Sequence, residues 1–488
     1  MKLKQYPEYK ELELPWIDRV PLDWDVLRAK CLFNQIDIRS EDGEEELLSV
    51  SEKQGVTPRK NVNVTMFKAE SYKGYKLCWP GDLVINSLWA WMQGLGFSRY
   101  HGIISTAYGV YRIKNEFQVD YKYFDYLFRS AAYLWELRVR SKGIWRSRYQ
   151  LTDDAFMTMP VIVPPESEQR QIVKYLDSKS AQITKFIRNK RQLIQLLKEQ
   201  KQAIINQAVT RGLDPNVKIK PSGVNWLGDI PEHWNIVPLR SLGKFQNGIS
   251  ESAEYFGSGY PFISYGDIYS NMVLPLNVDG LANSSDEERK RLSVEKGDVF
   301  FTRTSETIEE IGISSVCMEN VKDAVFSGFI IRFRPTKIVL TKEFSKYYFR
   351  SYITREFFVK EMNIVTRASL AQDLLKRLPV LLPPSSEQKE IFDFLEKASM
   401  RIDLAVEKAQ REINLIQEYR TRLISDVVTG KVDVRNIKVE DVGDEELLDN
   451  LSDTEDPPAC ADLSAVSTAQ AGASAGREEV FEGIEVEQ

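Results

Sequence analysis

Histidine is nearly missing from this 488-residue sequence: His101 and His233 are the two, in unrelated contexts. A Ser-His-Asp triad or a histidine-based metal site therefore has nothing to be built from. Cysteine is almost as scarce. Cys31, Cys78, Cys317 and Cys460 lack paired spacing, which suggests neither a disulfide framework nor a zinc cluster and leaves buried or idle thiols. No apolar run approaches the roughly 20 residues that span a bilayer, and the opening MKLKQYPEYKELELPW has no apolar signal core. A soluble, cytoplasmic chain is expected. There is no GKT or GKS, and the glycine pairs of QGLGF and FGSGY lack the spacing of a phosphate loop and read as turns. Acidic residues are plentiful, yet nothing marks two of them for acid–base work. The expectation is a chain that catalyses nothing and holds no metal or cofactor of its own.

What is present is ample core material, with 43% hydrophobic and 11% aromatic residues, enough for two to four domains. The net charge of −6 hides an asymmetry. From Val439 to Gln488 there are 15 acidic residues and one basic, so the body before it carries 64 Lys and Arg against 56 Asp and Glu and is mildly basic. The terminal segment 437–488, acidic and then rich in small residues, lacks the apolar surface to offset its ordering entropy, and is expected to be disordered.

The chain begins twice. LPWIDRVPLDW near the start is answered by VNWLGDIPEHW, so that Trp16 and Trp226, Pro21 and Pro231, and Trp24 and Trp234 are each 210 residues apart. MPVIVPPESEQRQIVKYL is answered by LPVLLPPSSEQKEIFDFL at an offset of 219, and between them PGDLVINS matches KGDVFFTR and YLFRS matches YYFRS. Such a period is too long for a solenoid and fits a duplicated domain.

After Pro164-Pro165 and Pro383-Pro384 the chain cannot continue as a strand interior, and the Ser and Glu residues that follow suit a helix start. Ser385 with Gln388 fits a capping box, and Glu166 in the other copy fits one less well. Apolar residues then recur at Ile172, Leu176, Ile183, Ile187, Ile194, Leu197, Ile204 and Ala208, and again, 219 residues on, at Ile391, Leu395, Ile402, Val406, Ile413, Ile416, Leu423 and Val427. Steps of three, four and seven predict one apolar seam along each of two long helices. So narrow a stripe needs a partner, and the two copies are expected to pair with each other as an antiparallel coiled coil. The first helix, over 166–211, carries ten Lys and Arg against four Asp and Glu, a solvated face.

The globular halves read as mixed α/β. GDLVIN, GVYRI, GDVFFT and FSGFIIRF are β-rich runs bounded by Gly and Asp, and DYKYFDYLFRSAAYLWELR reads as an amphipathic helix. The predicted order is a globular domain over 1–163, a spacer helix over 164–213, a second globular domain over 214–382, a second spacer helix over 383–436 and the tail.

In combination, SGVNWLGDIPEHW opening a domain, LPVLLPPSSEQKEIFDFL entering a long helix, and the repetition of both resemble the DNA specificity subunit of type I restriction-modification systems, over about residues 6–436. VINSLWAWMQGLGFSRYHGIISTAYGVYRI resembles one type of recognition domain, and GDVFFTRTSETIEEIGISSV with FSGFIIRFRP a different one. The acidic tail departs from the pattern. The resemblance implies two target-recognition domains reading a bipartite, asymmetric site in double-stranded DNA. It also implies two copies of an adenine methyltransferase subunit carrying S-adenosylmethionine, and a restriction subunit that uses ATP and Mg. Catalysis then lies with those partners, and the absence of an Asn-Pro-Pro motif here agrees.

Base edges are read chiefly by Arg, Asn, Gln, Ser and Thr, with Lys and Arg on phosphates. Asn86, Ser87, Gln93, Arg99 and Tyr100 in the first half, and Arg303, Thr304, Ser305 and Glu306 in the second, offer that chemistry on expected loops. Arg146 and Arg148 of WRSRYQ, and Arg367 of VTRAS, stand at matching places before the PP pairs. Trp89 and Trp91 read as core residues rather than contacts. The rival reading is a non-catalytic coiled-coil scaffold whose globular halves bind peptides.

Overall fold

In the computed structural model the described residues are 4–439, apart from 53, 62–70, 118, 145–148, 225, 306–310, 337–338 and 362–367. The acidic tail from 440 onward, Arg146, Arg148, Glu306 and Arg367 lie outside them, and of Ser305 only the backbone is described. These residues form two compact units, one of 4–192 with 409–439 and the other of 193–408. The division is not the linear one expected from sequence, because each long helix gives one half to each unit.

In the first unit, glycine- and aspartate-bounded runs of β-branched and aromatic residues build a four-stranded antiparallel sheet. Its order is Phe33–Gln35, Tyr108–Ile113, Leu83–Asn86, Leu95–Phe97. The second unit repeats that order with Gly243–Asn247, Ile330–Pro335, Val299–Thr302 and Ser314–Val316. Behind the first sheet, Phe33, Phe124, Phe128, Tyr133 and Phe156 share one core with Trp24. Behind the second, Phe301, Phe333, Tyr348, Phe349 and Phe358 do so with Trp234. Trp24 and Trp234, which close the two opening motifs, are thus core residues, each fully buried. The second unit adds a further apolar cluster around Ile263, Phe300 and Phe326.

The run expected as one amphipathic helix is two, Tyr121–Phe128 and Ala131–Arg140. The break comes at Ser130, whose hydroxyl accepts from the Tyr133 amide and caps a fresh helix. FGSGY is not a plain turn either. It lies in the strand Phe256–Ile263, where Gly257 and Gly259 adopt positive φ and both Phe256 and Tyr260 face Ala282, which is a bulge.

Each domain closes on a two-stranded ladder that leads into a long helix: Asp25–Arg28 with Pro160–Val163, and Asn235–Pro238 with Pro379–Leu382. The helices are Glu166–Arg211 and Ser385–Val428. The capping box expected of Ser385 and Gln388 does not form. Ser385 is already inside the helix, and the buried Gln388 amide reaches outward, donating to the carbonyls of Pro383 and Val339 and accepting from the Thr341 amide. Gln169 repeats this, donating to the Pro164 carbonyl and accepting from the Asp120 amide. Asp120 and Thr341 are the N-caps of the helices Tyr121–Phe128 and Lys342–Tyr348, so each glutamine fastens a globular domain to the head of its long helix.

The long helices pair antiparallel. In the first unit Gln171 donates to the carbonyls of Val434 and Ile437, whereas Lys190 meets Glu412 at 2.6 Å. In the second, Lys201 meets Asp403 at 2.7 Å, and Ile205, Ala208 and Val209 share a core with Ile391 and Leu395. All fourteen seam positions from Ile172 to Ile204 and from Ile391 to Leu423 are buried or half-buried. A fully buried Leu or Ile contributes about 1.5–3 kcal/mol, so the seam is a major source of cohesion. No helix among the described residues is long and apolar enough to cross a membrane.

Candidate nucleic-acid interface

The two equivalent sheets end in unlike loops. In the first unit the strand Leu83–Asn86, with Asn86 opposite Tyr108, runs into the segment 87–94. In the second, Val299–Thr302, with Thr302 opposite Ile330, runs into Arg303.

Several residues expected to read bases are tied into the fold. Asn86 is 7% exposed and donates to the Tyr108 hydroxyl at 2.9 Å, and Ser87 is equally buried with its carbonyl accepting from the Leu151 amide. Gln93 occupies a left-handed conformation at φ 58°, held by its side chain donating to the Ser130 carbonyl at 3.0 Å. Tyr100 packs against the cluster of Leu48, Val50 and Val110. Asn86, Ser87 and Gln93 thus each make a contact within the fold, and Tyr100 is half-buried. Arg99 is exposed.

In the second unit the Arg303 amide donates to the Phe329 carbonyl at 2.8 Å, and its Nη1 lies 3.4 Å from the Gly328 carbonyl. Thr304 pairs with Ser369 in a two-residue ladder, with Ser305 opposite Ala368. The structure brings Arg303 and Thr304 to one end of the sheet.

Other arginines that a basic sequence offers for phosphate are internal ties. Arg112 bonds Asp82 at 2.7 and 2.8 Å, and Arg334 bonds Asp298 at 2.7 Å twice. Their hydrogen bonds to these carboxylates raise both guanidinium pKa values. The arginine of YYFRS, Arg350, donates to the carbonyls of Ser314, Ile268, Tyr269 and Asn271. Burial, with a smaller push from Arg355, lowers its pKa to about 10. Among the described residues no cluster of His, Cys, Asp and Glu is placed to hold a metal ion.

Trp89 and Trp91, expected in the core, are corrected: Trp89 is 56% exposed and Trp91 half-buried, with rings stacked 6.2 Å apart at 15°. Ala90 between them is the buried anchor. Alternation within a tight 3₁₀ turn does not follow the strand period on which a core reading relies. Phe329 in the second unit is 61% exposed. Its position in the β-rich run FSGFIIRF gives no sign of this exposure, since the strand starts only at Ile330.

Two α/β domains of one sheet order, each joined to a long helix, make an internally duplicated architecture whose two sheet ends differ. Residues 231–415 match the family model described as type I restriction modification DNA specificity domain. Over that stretch, which is less than half of the chain, the protein is similar to the specificity subunits of type I restriction-modification systems.

Among its relatives, the type I restriction enzyme EcoKI specificity subunit of Escherichia coli (strain K12) is 24% identical over 286 residues, covering 57% of this chain and 59% of that protein. The chain thus aligns with less than two thirds of that relative. The type I restriction enzyme MjaVIII specificity subunit of Methanocaldococcus jannaschii is 22% identical over 431 residues, 86% of this chain and 95% of that one. A solved chain from work on complex assembly and conformational transition of the type I R-M system superposes with a TM-score of 0.63 at 16% identity. It covers 85% of this chain and 99% of that chain, and shows the shared fold.

Proposed function

We propose that this chain is the DNA-reading subunit of a type I restriction-modification complex. Each α/β domain reads one half of a bipartite, asymmetric target in double-stranded DNA, and the chain directs methyltransferase and restriction subunits to it. The observation that carries this is a framework kept in duplicate around sheet ends that differ. Sheet order, seam, glutamine clamp and buried ion pair recur, whereas 87–94 and 303–305 share neither sequence nor conformation. A kept framework suits a common partner; unlike loops suit unlike half-sites.

The helices supply matched surfaces for two copies of that partner. Leu196 and Leu415, 219 residues apart, are 54% and 63% exposed although the seam itself is satisfied. S-adenosylmethionine, ATP and Mg belong in this reading to the partner subunits, and the chain itself transfers no methyl group. The scaffold reading has no such observation behind it.

Exchange of residues 25–158 for the equivalent domain of a relative tests the reading, with methylome sequencing of the host as the readout. One half of the methylated sequence should change and the other stay. A change in both halves, or methyl transfer by the purified chain without its partner, overturns it.

A further inference from the structure

Each unit holds one aromatic ring in solvent at the same end of its sheet. Asn86 and Thr302 are equivalent strand ends, opposite Tyr108 and Ile330. Trp89 follows the first and Phe329 precedes the residue opposite the second, so the two rings project from opposite sides of one structural corner.

Neither ring is there through looseness. The Trp89 amide donates to the Asn86 carbonyl at 2.9 Å, and its own carbonyl accepts from Met92 at 2.9 Å and Gly94 at 3.0 Å. A side chain on Gly94 would meet the Trp89 Cβ at 2.9 Å, so the turn is packed tight. Phe329 is held as firmly: its amide donates to the Ser327 hydroxyl at 3.2 Å and its carbonyl accepts from Arg303 at 2.8 Å. A rigid turn that keeps a large ring in water loses burial energy and gains nothing within the fold.

An arginine lies close to each of the two turns. Arg138 approaches the Trp91 carbonyl at 3.4 Å, and on its helix, Ala131–Arg140, the one carboxylate, Glu136, is buried between Trp16 and Arg140. Phe329 has Arg303 beside it. In a duplex the base faces are already stacked, so an exposed ring meets base edges such as the thymine methyl or wedges into a base step, while a cation beside it suits phosphate.

We infer that Trp89 and Phe329 are base-contacting residues, each setting its ring against base edges of the half-site that its domain reads. The occupant is DNA rather than the common protein partner because the two rings are not copies. One is Trp after a strand and the other Phe before a strand, whereas surfaces for two copies of one partner recur position by position, as Leu196 and Leu415 do. The inference rests on the DNA-reading function above and names the residues that determine its specificity.

The test uses the complex co-purified from the native host, with a duplex carrying the site that its methylome defines and a scrambled duplex, at several salt concentrations. Trp89→Ala should weaken specific binding on the order of tenfold or more, and Trp89→Phe by much less. The slope of log affinity against log salt should not change, since no phosphate contact is lost. Phe329→Ala should behave alike at the other half-site. Unchanged affinity in both alanine variants overturns the inference while leaving the function intact. So does loss of assembly with normal DNA binding by the complex that still forms, which assigns the rings to a protein interface. Failure of the wild-type complex to prefer its own site overturns the function and the inference together.

Discussion

Arg112 grips Asp82 with two hydrogen bonds of 2.7 and 2.8 Å, and Arg334 grips Asp298 in the same way across the same pair of strands. Each carboxylate is almost fully buried and also accepts from the turn before its strand, from the Trp79 amide and the Glu295 amide. The GD of PGDLVINS and KGDVFFTR is therefore a sheet-locking device.

Removing the aspartate leaves Arg112 39% exposed and Arg334 still bonded to Glu295, so the loss lies in the hydrogen bonds made by the buried carboxylate. Asp82→Ala should cost the first unit about 1–3 kcal/mol, and Asp298→Ala should cost the second a similar amount. The corresponding fall in melting temperature is roughly 2–12 °C for units of this size. Calorimetry of each variant checks it; a shift under a degree would show that the pairs are not load carriers.

Gln388 is fully buried and its amide satisfies three backbone groups, so Gln388→Ala leaves the Thr341 amide and two carbonyls unmatched. A loss of about 1–3 kcal/mol is expected. Gln169→Ala should do the same to the Asp120 amide. Hydrogen exchange should then rise in Lys342–Tyr348 or Tyr121–Phe128, the helices those residues cap, before it rises elsewhere. Uniform exchange over the whole unit would contradict the clamp.

Arg435 bonds the Asp433 carboxylate at 3.0 and 2.8 Å and so holds it below the ordinary value of 3.8. A carboxyl depressed in the fold stabilises above its unfolded pKa, and that contribution disappears as pH falls through the folded one. The pair is partly exposed and its worth is small. Arg435→Ala should melt on the order of a degree or two lower from pH 7 to pH 5, with the deficit shrinking as pH drops below about 4. A deficit that stays constant down to pH 3 would assign the effect of Arg435 to its packing over the Tyr6 ring, 4.7 Å away.

The repeat was legible because it is written in local terms. Offsets of 210, 216 and 219 place Trp24 and Trp234, the GD turns and the PP pairs, and a period of three and four marks every seam residue from Ile172 to Leu423 as apolar. Helical geometry then leaves one face for them, which is why the coiled coil could be inferred before any contact was seen.

What the sequence could not decide is which polar and aromatic residues face water. Asn86 and Ser87 look like readers, yet a Tyr108 hydroxyl brought alongside by strand pairing and a buried strand end take them inward. Trp89 looks like core, yet a turn anchored by Ala90 and Gln93 holds it out. Gln388 looks like a cap for its own helix, yet its partners lie 47 and 49 residues away in the chain. Periodicity along one element is set by its backbone geometry and can be read in a single chain; the direction a side chain finally takes depends on partners distant in sequence, and only the packed tertiary structure supplies them.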